Sequence, residues 1–389
     1  MTIALVCPDA FSVLLFCPGI IASLQQVAGA RVLVVTEVGP HQAELAALGV
    51  DIADVPISRF VDPVADLKYL WRLRRVFRES RCEIVLNFST KPNLYGTIAA
   101  RLAGVRHVVS HVVGRGAAFL PGGGLQARVV RGAASLLYRV TCRWSDKLWF
   151  TNQNDVRFFI ERGLLDERKA VVTRNYLDTS RYRLEAVDPA TVSTLRRDCG
   201  VGPGDVVVVM VARMIWAKGI REFAEAACAL RVSHPHAVFL LVAPLETGSE
   251  DAVPESYIRE IETRSRLQWL GFLPDVLPVY ALSDIAVLPS YYLEGGYPRA
   301  LLEPMSMGKP IVTTDTDGCR GTVDPGFNGI LVPERDSAAL AHAVAGLIDD
   351  PARRAQFGRN ARVKAVRDFD ETAIVSAALA DLGIMSAHL

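Results

Sequence analysis

The chain has 389 residues, of which 50% are hydrophobic and 22% are charged, a composition that excludes disordered and collagen-like proteins. This length predicts two domains, each large enough to bury a core of its own. The formal net charge of +1 conceals an uneven distribution. Residues 1–185 carry 24 basic against 16 acidic residues, a net +8, whereas residues 186–389 carry 19 against 26, a net −7.

Short apolar runs alternate with amphipathic segments from the beginning of the chain to its end. The runs are almost continuously apolar, which is typical of parallel strands that are covered on both faces. The predicted strands are 3–6, 31–36, 84–88, 108–111, 147–151, 170–173, 206–211, 238–242, 268–271, 285–289 and 310–314, and helical patterns occupy 64–79, 220–232, 340–347 and 371–382. The alternation predicts an α/β protein with doubly wound parallel sheets.

A polar segment with two prolines, residues 180–204, interrupts this alternation and predicts the domain boundary. We therefore expect a Rossmann-like domain over 1–185 and a second one over 186–370. A C-terminal helix over 371–389 is predicted to pack back toward the first domain. Ligands of open α/β sheets bind at the carboxyl ends of the strands, so the predicted site is a cleft between the two domains.

The cysteines and the N-terminus indicate the compartment. Seven cysteines are scattered along the chain without a C-x-x-C pair, which predicts a reducing cytosol rather than a disulfide framework or a zinc site. No basic residue precedes the first apolar run, and no apolar stretch reaches the roughly 20 residues of a spanning helix. We expect a cytoplasmic protein without a signal peptide or a spanning helix.

The first segment with recognisable chemistry is VVVVMVARMIWAKGIREF, residues 206–223. Arg213 and Lys218 follow a buried strand and precede a helix that begins near Gly219. Two cations beside a helix N-terminus form a site for a diphosphate, because fixed positive charge and free backbone N–H groups converge there. From position alone, two solvated surface cations are an equal alternative.

The second segment is PSYYLEGGYPRALLEPMSMGKPIV, residues 289–312. Glu294 lies in a loop with Gly295 and Gly296, whose backbone can approach an anion closely. Pro298 can open a helix that carries Glu303. Two carboxylates at the ends of such a loop can accept hydrogen bonds from sugar hydroxyls. Taken alone, Glu303 is better interpreted as an ordinary helix carboxylate.

Together the two segments resemble the donor half of glycosyltransferase family 4. The resemblance rests on R-(x4)-K-G, P-S-x-x-x-E-G and P-R-x-L-L-E-x-x-x-x-G-K-P-I-V-T-T-D, and it extends through NYLD at 175–178 and CRGTVDPGFNGILVPERD at 319–336. It covers residues 147–345. It implies a retaining, metal-independent enzyme of the GT-B fold, in which two Rossmann-like domains face each other across a cleft. The nucleoside diphosphate sugar is then a substrate, and no cofactor is expected.

The resemblance also implies roles for single residues. Arg213 and Lys218 would hold the diphosphate, Glu294 would contact the donor sugar, and Glu303 would bind the ribose hydroxyls. The other predicted donor-binding residues are Gly295, Gly296, Tyr297, Pro298, Arg299 and Phe272. The family usually places seven residues between its two glutamates, whereas this sequence has eight, which predicts a bulge at Gly295 or Gly296.

A third pattern, Asp315-Thr316-Asp317, matches the D-x-D signature of metal–nucleotide sites in another class of glycosyltransferases. It directly follows the predicted strand 310–314, where the family also tends to carry aspartate. We therefore predict no metal site.

The first half of the chain contains a long stretch without acidic residues, 84–145. Its basic residues are Lys91, Arg101, Arg106, Arg115, Arg128, Arg131, Arg139 and Arg143. Solvated basic helices are one interpretation, and a surface for anionic lipid or a lipid-linked diphosphate is the other. Within the stretch, residues 125–140 show apolar side chains at helical spacing with three of these arginines interleaved. This helix could lie in a membrane interface or face the domain core.

Residues 89–104 and 110–119 resemble the acceptor half of bacterial enzymes that extend undecaprenyl-diphosphate-linked saccharides. The resemblance implies acceptor contacts from Lys91, Asn93 and Arg115. It also implies a catalytic role for His111, which is expected in a cleft loop near the donor sugar. The other residues with an implied catalytic role are Arg213, Lys218 and Glu294.

The predicted function is that of a retaining hexosyl- or N-acetylhexosaminyltransferase in bacterial surface polysaccharide or glycan assembly. Its partners would be a nucleotide sugar, with UDP as the expected nucleotide, and a lipid-linked saccharide acceptor. The basic N-terminal domain would bind the anionic inner face of the cell membrane, and no nucleic acid is expected. A non-hydrolysing nucleotide-sugar epimerase and a non-enzymatic sugar-binding protein remain the alternatives.

Overall fold

The computed structural model describes residues 1–58, 61–114, 119 and 125–384 of the chain. The chain divides into two compact units. The first unit comprises Met1–Arg174 and the segment that begins at Thr372, and the second unit is Asn175–Glu371. Each unit is built on a sheet in which every named strand pair is parallel, as the sequence predicts.

The first unit contains a seven-stranded sheet in the order β3-β2-β1-β4-β5-β6-β7. Its strands are β1 (Thr2–Asp9), β2 (Arg31–Glu37), β3 (Asp51–Asp54), β4 (Cys82–Phe88), β5 (His107–Val112), β6 (Lys147–Phe150) and β7 (Ala170–Val172). Its helices are α1 (Ala10–Phe16), α2 (Pro18–Gln25), α3 (Gln42–Ala46), α4 (Pro63–Glu79), α5 (Thr97–Ala103), α6 (Leu125–Trp144) and α7 (Gln153–Glu161). Apolar side chains of β1, β2, β4 and β5 pack against α4 and α5 in a buried core.

The second unit contains a six-stranded sheet in the order β10-β9-β8-β11-β12-β13. Its strands are β8 (Val206–Val211), β9 (Ala237–Val242), β10 (Leu267–Trp269), β11 (Ile285–Leu288), β12 (Ile311–Thr314) and β13 (Gly329–Val332). Its helices are α8 (Pro189–Asp198), α9 (Ile220–Leu230), α10 (Glu255–Arg264), α11 (Leu277–Leu282), α12 (Arg299–Ser306), α13 (Asp317–Arg320), α14 (Ser337–Asp349) and α15 (Pro351–Phe369). One large core surrounds this sheet, with β8, β9 and β11 buried along their length.

The boundary between the units lies at Arg174/Asn175, earlier than the predicted 185/186. The residues after Asn175 belong to the second unit because Leu177 forms a parallel bridge with Asp370, and Tyr182 is buried in the second core. The last helix, α16 (Glu371–Asp381), enters the first unit at Thr372. There the Lys147 ammonium lies 3.0 Å from the carboxylate of Asp381.

Both sheets have a point where the strand order reverses beside the first strand. In the first unit this point lies between β1 and β4, and in the second it lies between β8 and β11. The loops after such a strand pair run in opposite directions and leave a crevice at their carboxyl ends, where open α/β sheets bind ligands. The fold therefore marks one candidate crevice in each unit.

The helices in the described part of the chain all lack the combination of length and apolar character that a membrane crossing requires.

Candidate functional site

Two loops meet at the crevice of the second sheet. Arg213 follows β8, and Lys218 ends a short 3₁₀ turn, Trp216–Lys218, before α9. Gly219 caps α9 with a φ of +83°, and a Cβ there would lie 2.2 Å from the carbonyl oxygen of Pro289, which follows β11. Because only glycine tolerates this conformation and this approach, Gly219 lets the loop after β8 touch the loop after β11.

Lys218 and Glu294 form a nearly buried ion pair across these two loops. The distance between Lys218 Nζ and Glu294 Oε1 is 2.5 Å, and the side chains are only 12% and 9% exposed. Ser290 Oγ donates a second hydrogen bond of 2.8 Å to the same carboxylate oxygen. The structure thus brings together two of the residues that the sequence singled out, and it holds both in fixed positions.

An aromatic ring joins the two predicted diphosphate-binding cations. The ring centroid of Tyr292 lies 4.9 Å from Lys218 Nζ and 5.1 Å from the guanidinium carbon of Arg213. Cations at this distance from an aromatic face are attracted by its quadrupole. Arg213 is 47% exposed, and its Nη1 lies 3.9 Å from a carboxylate oxygen of Glu246. Arg213 and Lys218 are therefore clustered, with Arg213 the more accessible of the two.

The loop that carries Glu294 also packs closely on the start of α13. A Cβ on Gly318 would lie 2.3 Å from Glu294 Cβ and 3.0 Å from the carbonyl oxygen of Gly296. Gly296 has a φ of +157°, so of the two glycines predicted to bulge it is the one that needs glycine at its position. Close backbone packing therefore helps to position this part of the loop.

Glu303 lies inside α12 as half of a buried ion pair. Helix α12 begins at Arg299, one residue later than predicted, with Pro298 as its N-cap. Arg299 Nε donates to Glu303 Oε1 at 3.0 Å, and Arg299 Nη2 donates to the hydroxyl of Tyr182 at 3.2 Å. Burial raises the pKa of Glu303, and the positive charge of Arg299 partly opposes this shift. The charge on Glu303 therefore depends on Arg299.

Two further predicted donor-binding residues have different surroundings. The carbonyl oxygen of Tyr297 accepts a hydrogen bond of 2.8 Å from Asn175, and its ring packs edge-on against Phe369 at 5.2 Å between centroids. Phe272 follows β10 and is 65% exposed. Tyr297 thus anchors the loop to the core of the second unit, whereas Phe272 contacts neither Lys218 nor Arg213 among the ring contacts of the described residues.

The D-x-D pattern lies just beyond β12, and one arginine pairs with both of its carboxylates. Arg320 Nε donates to Asp315, and Arg320 Nη1 lies 3.4 Å from a carboxylate oxygen of Asp317. Across the residues that the structure describes, no group of three or more histidine, cysteine or acidic side chains is arranged so that it could hold a metal ion.

In the first unit, Lys91 follows β4 and is paired. Its ammonium lies 2.5 Å from Asp66 of α4, and the other oxygen of Asp66 accepts a hydrogen bond of 3.1 Å from Tyr95. Burial and the neighbouring charge of Asp66 raise the pKa of Tyr95 to about 12. Lys91 keeps 17% of its side chain exposed, so it lies at the edge of the crevice with its position fixed by a buried carboxylate.

The expectation that His111 lies in a cleft loop is wrong. His111 belongs to β5 and is 6% exposed, with its ring edge-on to Phe88 and Trp149. Its Nε2 shares a hydrogen bond of 3.4 Å with Thr173. Burial lowers the pKa of His111 to about 4, so the ring is neutral near pH 7. The ring of His111 is buried, and its catalytic role stays a prediction.

Of the other two predicted acceptor residues, the structure describes one. Asn93 is buried, and its side-chain amide donates to the carbonyl oxygen of His111 at 2.9 Å. Asn93 therefore ties the loop after β4 to the end of β5. Arg115 lies outside the described residues.

The sequence predicted an apolar stripe on α6 that comprises Leu125, Val129, Val130, Ala133, Leu136, Leu137 and Val140. Leu137 is partly buried against the core, whereas Val129 and Leu136 are exposed. The buried residues of α6 include Ala134, Tyr138 and Cys142. Arg128 and Arg139 are exposed, whereas Arg131 is half-buried. One face of the helix therefore contacts the core and the other presents cations, and its placement in a membrane interface stays a prediction.

Two family profiles match adjacent parts of the chain. The glycosyl transferase 4-like domain matches residues 20–175, and the profile of glycosyl transferases group 1 matches residues 193–364. The chain belongs to glycosyltransferase family 4. This membership confirms that the protein is a glycosyltransferase.

Two curated relatives of this glycosyltransferase match over most of their length. The N,N'-diacetylbacillosaminyl-diphospho-undecaprenol alpha-1,3-N-acetylgalactosaminyltransferase of Campylobacter jejuni is 25% identical over 345 residues, 88% of each chain. The UDP-Gal:alpha-D-GlcNAc-diphosphoundecaprenol alpha-1,3-galactosyltransferase of Escherichia coli is 27% identical over 320 residues, 81% of this chain and 78% of the relative. Among solved structures, HepE of Anabaena in complex with UDP matches with a TM-score of 0.78 and 22% identity, covering 99% of this chain and all of that one. The similarity in structure confirms the predicted GT-B fold.

Sequence reasoning missed three residues around the donor-side cations of this glycosyltransferase: Ser290, Tyr292 and Glu246. Ser290 and Tyr292 both lie inside the motif P-S-x-x-x-E-G, in which Ser290 is a fixed position that was given no role and Tyr292 is an open position. Glu246 lies after β9, in a stretch without a motif. A useful signal is the rule that loops after β8, β9 and β11 share one edge of the sheet, because it would have directed attention to all three.

Proposed function

We propose that this glycosyltransferase takes a sugar from a UDP-linked donor and transfers it, with retention of anomeric configuration, to a hydroxyl of a saccharide carried on a polyprenyl diphosphate. The observation that carries the proposal is the cluster of Arg213, Lys218 and Glu294 at the carboxyl ends of β8 and β11. The names of the two curated relatives support the acceptor class, since both act on diphospho-undecaprenol-linked saccharides.

In this proposal Arg213 and Lys218 bind the departing nucleoside diphosphate. As the bond between the sugar and the diphosphate breaks, negative charge grows on the β-phosphate. Arg213 and Lys218, together with the free N–H groups at the start of α9, stabilise that charge from fixed positions. Preorganised donors of this kind typically supply several kcal/mol, because they need no reorganisation during the reaction.

Glu294 serves two purposes in turn. Without donor, its carboxylate neutralises Lys218 at 2.5 Å. When the diphosphate binds, Lys218 is shared between phosphate and carboxylate, so Glu294 can turn toward hydroxyls of the donor sugar. Glu303 would accept hydrogen bonds from the ribose, with Arg299 keeping it ionised.

On the acceptor side, the proposal assigns Lys91 to the acceptor diphosphate. Its pairing with Asp66 fixes the ammonium at the end of β4. The acceptor is a lipid, so the first unit would work at the anionic cytoplasmic face of the membrane, without a nucleic-acid partner. The reaction is proposed to need no metal, because the diphosphate charge is met by Arg213 and Lys218.

The proposal is tested by offering UDP and a panel of UDP-sugars to the purified protein and detecting binding by ligand-observed NMR. We expect UDP and a small number of UDP-sugars to bind. With a polyprenyl-diphosphate saccharide as acceptor, an α-linked UDP-sugar should give an α-linked product by proton NMR. A β-linked product would contradict retention, and failure of every nucleotide to bind would contradict the donor site. Conversion of the donor without acceptor would instead indicate an epimerase.

A further inference from the structure

Tyr182 lies in the segment that connects the boundary of the units to helix α8, and its backbone is fixed against helix α12. Ser306 Oγ, at the end of α12, donates to the carbonyl oxygen of Tyr182 at 2.7 Å. Arg362 of α15 donates to the same carbonyl oxygen at 3.3 Å and to Ser306 Oγ at 2.6 Å. The backbone of Tyr182 is therefore held independently of its side chain, beside the helix that carries Glu303.

The side chain of Tyr182 contacts Arg299, which is the partner of Glu303. Only 6% of Tyr182 is exposed, and its ring centroid lies 5.7 Å from the guanidinium carbon of Arg299. Its hydroxyl accepts a hydrogen bond of 3.2 Å from Arg299 Nη2, while Arg299 Nε donates to Glu303 Oε1 at 3.0 Å. Arg299 Nη1 lies 3.5 Å from the carbonyl oxygen of Tyr176, which makes that contact long and weak. One guanidinium therefore joins the hydroxyl of Tyr182 to the carboxylate of Glu303.

The groups that act on Glu303 come from three elements: Arg299 on α12 itself, Tyr182 on the connecting segment and Tyr280 on α11. Burial raises the pKa of Glu303, whereas the charge of Arg299 and, more weakly, the hydroxyls of Tyr182 and Tyr280 lower it. Burial also raises the pKa of Tyr182, so its hydroxyl keeps its proton near pH 7. A second cation, Arg362 of α15, donates to carbonyl oxygens of the connecting segment. The charge on Glu303 thus depends on how the Arg299 guanidinium is oriented.

We propose that Tyr182 is a positioning residue for the nucleotide, because its hydroxyl holds the Arg299 guanidinium in the orientation that directs Glu303 toward the ribose hydroxyls. This inference rests on the proposed function, which assigns the ribose to Glu303. The donors of a guanidinium form a rigid fork, so an acceptor that fixes Nη2 also fixes the direction of Nε. A phenylalanine at this position would keep the buried ring and leave Nη2 without that acceptor.

The expected consequence is selectivity for the ribose. A site that is built to hydrogen-bond a hydroxyl rejects an analogue that lacks it, because its buried polar groups are then left unpaired. Tyr182 would thus help the enzyme to distinguish a nucleotide with ribose hydroxyls from one without them, although Tyr182 does not touch the nucleotide. The diphosphate contacts of Arg213 and Lys218 should not depend on it.

The test is calorimetric titration with UDP and with dideoxy-UDP, the analogue that lacks both ribose hydroxyls. The parent should prefer UDP at least tenfold. Tyr182→Phe should reduce this preference at least threefold and bind dideoxy-UDP within twofold of the parent. The matched control is Tyr257→Phe on α10 of the same unit, which removes a buried hydroxyl that has no hydrogen-bond partner among the described residues and should behave like the parent. An unchanged preference in Tyr182→Phe would overturn the proposal, and so would an equal loss of affinity for both nucleotides, which indicates a structural role.

A double variant shows whether Tyr182 acts through Arg299. In Arg299→Met the guanidinium is absent, so adding Tyr182→Phe should change the preference for UDP less than twofold. If the second substitution reduces the preference as much as it does in the parent, the hydroxyl acts on the nucleotide without Arg299, and the positioning role is wrong.

A measurement without nucleotide separates this inference from the proposed function. Carboxyl-carbon NMR of glutamate-labelled protein follows the titration of Glu303, whose signal is identified by its absence in Glu303→Gln. The midpoint should lie at higher pH in Tyr182→Phe than in the parent, because the groups that lower the Glu303 pKa are then lost or displaced; equal midpoints would overturn the inference. If the midpoint shifts but UDP binds neither protein, the proposed donor is wrong while the control of Glu303 by Tyr182 stands. If both proteins bind UDP with the same preference, the inference fails while the proposed donor stands.

Discussion

Replacement of Lys218 by methionine tests the donor site most directly. The variant keeps the length of the side chain and removes the ammonium that lies 2.5 Å from Glu294. A hydrogen bond to a charged group contributes about 1.5–3 kcal/mol. If Lys218 binds the diphosphate, its loss therefore weakens UDP binding about 10- to 150-fold.

The variant has a second effect, because it leaves the Glu294 carboxylate without its cation. Ser290 remains as a hydrogen-bond donor to that oxygen, but it carries no charge. A carboxylate about 5 Å from a phosphate repels it by about 3 kcal/mol at an effective dielectric constant of about 20. The double variant Lys218→Met/Glu294→Gln removes this repulsion, so it should bind UDP at least tenfold more tightly than Lys218→Met alone.

The assay is isothermal titration calorimetry with UDP at one fixed ionic strength, with thermal unfolding recorded for each variant. Arg196→Met is the control, because Arg196 is exposed on α8 and should leave the affinity unchanged. If Lys218→Met binds UDP within twofold of the parent, Lys218 does not contact the diphosphate. If the double variant binds no better than the single one, the argument from repulsion is wrong.

Three other predictions concern the loop, the ribose contact and the metal. Gly318→Ala should lower turnover at least tenfold, because its Cβ would lie 2.3 Å from that of Glu294. The control is Gly346→Ala in α14, where a Cβ has open space and should raise the free energy of unfolding by about 0.5–1 kcal/mol. Equal turnover in the two variants would contradict the packing argument. Because the pKa of Glu303 is raised by burial, donor affinity should fall as the pH is lowered through that pKa, and Glu303→Gln should remove this acid limb from the pH profile of KM. The same shift contributes stability that is present below the unfolded pKa and is lost as the pH rises through the folded one, so unfolding of the parent but not of Glu303→Gln should show that dependence. A chelator should leave turnover unchanged. Turnover that depended on a divalent ion would contradict this prediction and would make Asp315 and Asp317 candidate metal ligands.

The sequence predicted the inner strands of both sheets but missed one edge strand in each. All eleven predicted strands form, because strands buried on both faces are continuous apolar runs. The two strands that were missed, β3 and β13, lie at sheet edges. β3 has only four residues, with aspartate at each end, and β13 begins at Gly329, where a Cβ would lie 2.4 Å from the carbonyl oxygen of Ile311. Short edge strands and a glycine required by close packing both weaken the apolar pattern.

The order of the donor motifs could also be read from the sequence, but the partners of their side chains could not. Arg299 could be anticipated for Glu303, because the two are four residues apart on one helix. The pairing of Lys91 with Asp66 crosses from one loop to another helix, and it depends on the packing of α4. No local pattern encodes such a contact.

His111 shows how a motif and a burial pattern can disagree. The placement of His111 in a cleft loop conflicts with the predicted strand 108–111, which ends on this residue, and in the structure β5 continues through the histidine to Val112. The hydrogen bond from Asn93 to the His111 carbonyl oxygen then closes the end of that strand. The apolar run was the better guide, since continuous burial is what forms an inner strand.

In the first unit, positive charge is concentrated on particular helix faces rather than along one stretch of sequence. Within the acid-free stretch 84–145, Lys91 is committed to Asp66, and Arg101 binds Asp146 and three backbone carbonyl groups. Helix α4 lies outside that stretch and carries acidic residues, yet its helical period directs Asp66 inward and four cations outward. An anion that approaches this unit therefore meets the outer sides of α4 and α6, and counting charges along the chain alone would have assigned it to α6 only.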